Sequence, residues 1–486
     1  MTVNRRQMLL SAGAISLMTP ETLWARAALD HASQWALATM DVESDVSERS
    51  LTLIHGRVPD GLSGTLYRNG PAKFRRPGGR AAHWFDGDGM VRRWHIGDGQ
   101  ARLSARFADT PKRRQETRLD AMVMPGFGTP ADPRAEIMNP DDANAANTSV
   151  IRVGDQVWAL WEAGSPMAMD ADSLATEGFV TLRDDLRHMP FLAHPRVEPD
   201  GTIWNLGMAI HQAMVWKLAP DGSLLAAEVI ALPRGAYVHD FTATARHLVI
   251  VLQPWVAAPG ARTVADGYRW LEGESTLVLI VDKDDLSRRR IAELPGFGFF
   301  HLGDAWEDQG GTIRFDVCAY ADMAFAQSGG REILNGIEVG GQPATLALAT
   351  LPPEGPGRLE RTGITAEFPR AGADVAGLSR RFSVHVTGER SDRPLASGVG
   401  VMDWHSGISR RFDLGEAHVV DEMVVVRKPG AVREDDAWLI GPSINLHEGV
   451  SELHVLDMAR LEDGPVVSWR ADIALPAAFH GNWYAS

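Results

Sequence analysis

Short apolar runs of six or seven residues, each closed by turn residues and repeated along the chain, constrain this fold more than any other feature. They include residues 156–162 (QVWALWE), 202–208 (TIWNLGM), 247–253 (HLVIVLQ), 276–282 (TLVLIVD), 437–443 (AWLIGPS) and 452–457 (ELHVLD). Turn dipeptides stand between them at Asp200-Gly201, Asp221-Gly222 and Asp463-Gly464. Asp-Gly between β-prone runs predicts a hairpin whose two turn positions both take positive φ. VEPDGTIWNL and LAPDGSLLAA read as one hairpin unit used twice. Helical periodicity is scarce: residues 325–337 are the one candidate, weakened by Gly329 and Gly330. Many short strands without alternating long helices predict an all-β fold. A chain of 486 residues with no obvious linker favours radial repetition, a β-propeller, over two sandwiches. A propeller leaves an axial channel, a natural place for a metal.

Charge and cysteine content narrow the function. Lys plus Arg is 48 against 63 for Asp plus Glu, a formal charge of −15, the wrong sign for a nucleic-acid binder. Hydrophobic residues at 44% and charged residues at 23% are ordinary globular usage and exclude a polytopic membrane protein. Cys318 is the only cysteine, which rules out an internal disulfide, a CxxC pair and a cysteine zinc site. A metal must be held by histidine or carboxylate.

The first residues read as an address. Arg5-Arg6 precede a short apolar run at residues 9–18, and Ala25-Arg26-Ala27 offers an A-x-A cleavage pattern. Residues 1–27 are therefore expected to be a twin-arginine export signal and 28–486 a single domain, with a periplasmic location. The apolar run is too short to span a bilayer as a transmembrane helix. That route carries folded proteins, which agrees with a cofactor loaded before export.

Of 16 histidines, four stand in apolar or glycine-containing contexts beside expected strand ends: His194, His239, His301 and His480. Their wide separation in the chain excludes a local metal motif but suits one ligand from each of several blades meeting on an axis. Imidazole nitrogens accept iron, copper, zinc or nickel, so residue type leaves the metal open. Ordinary hydrogen-bonded histidines are the competing reading of each. Metal-bound histidines usually donate their second N–H to a carboxylate or carbonyl, and Glu162, Glu367 and Glu422 lie in similarly apolar settings. The chain has no GxSxG elbow, no GxxxxGK[ST] loop and no HExxH. Asp86-Gly87-Asp88-Gly89 reads as a hairpin turn before it reads as a calcium site.

Taken in order, these segments resemble the carotenoid cleavage oxygenase family. GRVPDGLSGTLYRNGPAKF (56–74) and HWFDGDGMV (83–91) are similar to its amino-terminal signature. ANTSVI, LWEAGSPMAMD, AHPRVEPDG, VHDF, FFHLGDAWE, EFPR, EDDAWL and FHGNW follow in family order, so the resemblance covers residues 56–483. It implies a seven-bladed β-propeller with a dome of loops and short helices over one face. It implies Fe(II) held by His194, His239, His301 and His480, with Glu162, Glu367 and Glu422 orienting three of the imidazoles. Thr148 matches a threonine whose methyl crowds an open iron position. Ala72 is a minor departure, where members often have asparagine.

The chemistry so implied is cleavage of one C=C bond by O2 into two carbonyl products. Two substrate branches follow: carotenoids or apocarotenoids, and lignin-derived 4-hydroxystilbenes. Stilbene cleavers typically carry a lysine just before the glutamate matching Glu162, to engage a phenolic oxygen. Here that position is Trp161, and the chain has only five lysines: Lys73, Lys112, Lys217, Lys283 and Lys428. Tryptophan suits a long apolar polyene instead. A polyene must be drawn from a membrane, and residues 122–127 (MVMPGF) and 255–259 (WVAAP) are candidates for a transient apolar contact patch. A non-catalytic propeller that binds a metal or pigment is the alternative from a different class.

Overall fold

The computed structural model describes residues 35–390 and 392–486. Among the described residues seven antiparallel sheets of four to six strands follow one another around the ring, beside two two-stranded ribbons, so the expected all-β propeller has seven blades. Blade 2 is representative: Ser149–Val153, Gln156–Leu160, Met167–Asp170 and Thr176–Phe179 pair as a simple meander. Blades 3 to 6 begin at the axis with Arg196–Val197, Thr242–Ala243, Gly298–Leu302 and Glu367–Arg370.

Ring closure is made twice. In blade 1, Gly64–Lys73 pairs on one side with Asp88–Gly97 and on the other with His480–Ala485. At the outer edges, Val46–Ser50 joins blade 1 while Thr52–Gly56 pairs with Pro465–Arg470 of blade 7. Both closures satisfy sheet edges that would otherwise present unpaired backbone groups.

The core lies between blades. Between blades 1 and 7, Leu66, Trp94 and Leu103 pack with Ile440, Leu453 and Trp469 in one buried cluster. Each such side chain contributes roughly 1.5–3 kcal/mol by leaving water. A Trp469→Ala change would forfeit that burial and leave a cavity in the seam.

None of the three Asp-Gly pairs makes the expected two-residue turn. Asp463 ends a short helical turn, Met458–Asp463, in a longer loop joining Val450–Asp457 to Pro465–Arg470. At the other two pairs, Gly201 and Gly222 have φ +87° and +82°, but neither aspartate takes positive φ. The Gly201 and Gly222 amides donate back to the Glu198 and Ala219 carbonyls, and Asp200 and Asp221 each accept from the amide two residues on, at 2.9 Å. This is a type I turn with proline after its first residue and glycine closing it, a three-residue hairpin loop rather than the two-residue one. Both lie in blade 3.

A dome of loops and short helices covers one face. The candidate helix at 325–337 forms: a wide π turn over Phe325–Gly329 runs without a break into the α-helix Gly330–Asn335, which Gly336 ends at φ +69°. Asp86 and Asp88 form neither a hairpin turn nor a calcium site. Asp86 is buried and accepts from the Phe127 and Gly128 amides and the Thr129 hydroxyl, while Asp88 is paired with Arg76, Lys112 and Arg113. They pin the dome to blade 1. Of the two segments proposed as a membrane patch, 122–127 is largely interior, with Met122, Val123, Met124 and Phe127 buried, whereas in 255–259 only Trp255 is buried, Val256 to Ala258 are half-buried and Pro259 is exposed. No helix among the described residues is long and apolar enough to cross a membrane. The export signal expected at residues 1–27 lies outside the described residues.

Candidate metal centre

The inner rim of the ring delivers one polar group per blade. His194 and His239 directly precede the inner strands of blades 3 and 4, His301 and Glu367 lie within those of blades 5 and 6, and His480 opens the closing strand of blade 1. Glu422 sits between His418–Val420 and Val424–Arg427 in blade 7, and blade 2 supplies Thr148 and Glu162 from strand ends. All eight residues expected at the site meet there.

The four histidines turn ring nitrogens toward one point, with all four ligand atoms within 4.8 Å of one another. His194 Nε2 is 3.0 Å from His239 Nε2, and His480 Nε2 is 3.1 Å from His301 Nε2. Two nitrogens bound at about 2.1 Å to one ion and at right angles to each other stand about 3.0 Å apart, so the set fits a divalent transition metal. Burial holds His480 down to about 3, and burial with the three neighbouring imidazoles keeps His194 well below its ordinary value. Both rings are therefore neutral at pH 7, the form that binds metal.

Three of the four rings are oriented by carboxylates through Nδ1. His239 meets Glu162 at 2.7 Å, His301 meets Glu367 at 2.7 Å and His480 meets Glu422 at 3.1 Å. The Tyr237 hydroxyl donates to Glu162 at 2.8 Å, and the Tyr320 hydroxyl donates to Glu367 at 2.5 Å. Glu422 instead faces the buried Arg68, with Nη1 at 2.6 Å. Burial alone would raise its pKa, but Arg370, His480 and Arg68 bring it well below the carboxylate range. His194 has no carboxylate partner among the described residues. Tyr237, Tyr320 and Arg68 escaped the sequence analysis; Tyr237, two residues before His239 in a chain with five tyrosines, was the one visible signal.

Two cavities meet at the histidines. The first, an open space of about 1300 Å³, lies under the dome and is walled by Trp84, Phe85, Phe127, Phe300, Phe325 and Phe479. Trp161 and Thr148 line it too, and exposed Gly340 to Gln342 mark its mouth. None of the five lysines lines it. Lys73, Lys112, Lys283 and Lys428 are ion-paired elsewhere, and Lys217 lies over Trp204. The second cavity, about 1010 Å³, lies on the axis and is lined by Arg196, Asp240, Asp304 and Arg370. His301, His480 and Phe368 border both, whereas His239 borders only the first and His194 only the second.

A seven-bladed propeller with four inward histidines above an apolar cavity is a metal-binding propeller built for an apolar ligand. The chain belongs to the retinal pigment epithelial membrane protein family, that of the carotenoid cleavage oxygenases, whose model matches residues 39–485. Among its relatives is an apocarotenoid-15,15'-oxygenase of Synechocystis sp., 27% identical over 95% of this chain and 96% of that protein. A lignostilbene-alpha,beta-dioxygenase isozyme of Sphingomonas paucimobilis is 25% identical over 92% and 95%. An isoeugenol monooxygenase of Pseudomonas nitroreducens is 25% identical over 88% and 93%. In structure, a variant of the Synechocystis apocarotenoid oxygenase superposes with a TM-score of 0.84 at 23% identity, covering 93% of this chain and 98% of that one.

Proposed function

We propose that this protein is an Fe(II)-dependent dioxygenase that cleaves one C=C bond of a carotenoid or apocarotenoid, placing the two atoms of O2 in two carbonyl products. The observation that carries the substrate class is the aromatic-walled cavity with Trp161, not lysine, beside Glu162. A phenolate would find no lysine there, whereas a polyene finds aromatic faces along the whole wall.

His194, His239, His301 and His480 would hold the ion, which when bound supplies the redox chemistry that joins O2 to an alkene. The protein's own residues do the rest. Glu162, Glu367 and Glu422 fix ring orientation and tautomer, and their tyrosine and arginine partners hold the carboxylates in turn. Thr148 donates its hydroxyl to Asn147 Oδ1 at 3.1 Å, so its methyl is the part left to shape the wall. The aromatic wall positions the alkene and excludes water. We carry the twin-arginine segment as a companion proposal that the chain is exported to the periplasm, testable by cell fractionation with and without an Arg5→Lys, Arg6→Lys change.

The deciding assay offers iron-loaded protein in air an apocarotenal series beside a 4-hydroxystilbene, with products identified by mass spectrometry. Cleaved apocarotenals and an untouched stilbene are expected, with label from isotopic O2 in both carbonyls. Cleavage of the stilbene alone would overturn the substrate assignment. Binding without any product would favour the non-catalytic propeller.

A further inference from the structure

Almost every polar group on the large cavity's wall is engaged. Glu162 and Glu367 hold histidine and tyrosine, the Asn147 amide donates to the Phe85 and Gly87 carbonyls, and Asp421 accepts from the Ala478 amide. Arg390 turns to Asp392 at 3.0 Å. Glu389 is different. It lines the same cavity, is 8% exposed, and its Oε2 has no hydrogen-bond partner among the described residues.

A buried carboxyl oxygen left unpartnered destabilises the fold, so such a group on a ligand cavity calls for a ligand atom. Burial, with the Glu367 charge adding, pushes this carboxyl up to about 8. At neutral pH it keeps its proton, and can donate to a carbonyl or accept from a hydroxyl. The remaining wall near the metal is carbon or already hydrogen-bonded.

We propose that Glu389 is the polar anchor of the cavity: its carboxyl takes the hydroxyl or carbonyl oxygen of the substrate's end group and so sets how far the alkene slides past the histidines. This rests on the alkene-cleaving reading above, which it deepens by naming the oxygenated end as the recognised one. A purely apolar tunnel would hold a polyene in many registers of similar energy. One hydrogen bond to a fixed wall residue selects among them.

The test uses two polyenes of equal length without an aldehyde, one with a hydroxyl on its end ring and one a plain hydrocarbon. Dissociation constants are read by quenching of tryptophan fluorescence, and kcat, KM and product masses by turnover. The hydroxylated probe is expected to bind about tenfold more tightly, the size of one well-placed hydrogen bond. Glu389→Leu should erase that preference, so that the two Kd values converge, and should spread the cleavage over neighbouring double bonds. Glu389→Gln, which still donates and accepts, should keep most of it. Glu389→Met serves if the leucine variant does not fold. Equal weakening of both probes, an unchanged ratio, or no preference in the parent protein would each overturn the anchor. The Kd ratio needs no turnover, so a protein that binds both probes and cleaves neither defeats the proposed reaction while the ratio still decides the anchor.

Discussion

The two cavities that meet at the metal centre share His301, His480 and Phe368 and are otherwise opposites. The dome side is wide and aromatic, with Phe85 packed edge-on to Phe300 and Phe479 at 5.6 and 5.5 Å between ring centres. The axial side is a charged lattice. Arg196 there binds Asp240 at 2.7 Å, Asp304 at 3.1 Å and the Phe241 carbonyl at 2.6 Å, so one guanidinium ties blades 3, 4 and 5 together. The lesson is a contrast across one ring of ligands: an aromatic wall fit for the proposed apolar substrate on one face, a charged brace between blades on the other.

The largest effect should come from removing a ligand on the substrate face. His239→Ala is expected to take metal content from about one ion per chain to near none and activity down by about 10³-fold or more, checked by elemental analysis beside the assay. Full activity in metal-free protein would remove the centre from the chemistry altogether. Next comes the axial lattice. Arg196→Met leaves Asp240 and Asp304 without their cation and should cost about 3 kcal/mol of stability, read as a lower urea midpoint. If the contrast extends to function, KM measured well below the new transition stays at the parent value; a raised KM would show that the axial face touches substrate.

The smallest expected effect tests the partition itself. Phe368 stands 4.9 Å from both His301 and His480, ring centre to ring centre, and its φ is +55°, a left-handed backbone unusual for a bulky residue. The Glu367–Arg370 strand thus bends there and sets a ring between the cavities. Phe368→Ala would join them and admit water, with an expected loss of about tenfold in kcat/KM at unchanged metal content. Unchanged kinetics would mean that the ring fills space without separating anything.

How far the sequence revealed this depends on the range of each interaction. The propeller class was legible because strand length and turn chemistry are local. The histidines stood out from the other twelve only through the ordered motifs around them, since nothing in their spacing says which blades are neighbours. Tyr320 and Glu367 are 47 residues apart, and Arg68 and Glu422 are 354 apart, so neither pair has a local signature. Residues 122–127 failed as a surface patch because core and patch share a composition and differ only in what packs over them. Glu389, followed by Arg390, looks in sequence like any solvated charge pair. Only the folded ring shows one buried in the cavity wall with an unpartnered oxygen and the other exposed and paired with Asp392.

The closing strand of blade 1 carries a consequence for how the protein comes into being. His480 pairs with Asn69, and Arg68 grips the Phe479 carbonyl across 411 residues of chain. On a ribosome, every other blade is made before that strand emerges. Until then the nascent ring holds three of its four imidazoles and lacks the Arg68–Glu422–His480 brace. The last stitch of the ring and the last ligand of the ion are the same piece of chain, so an unfinished or misclosed copy is also one that cannot be fully armed.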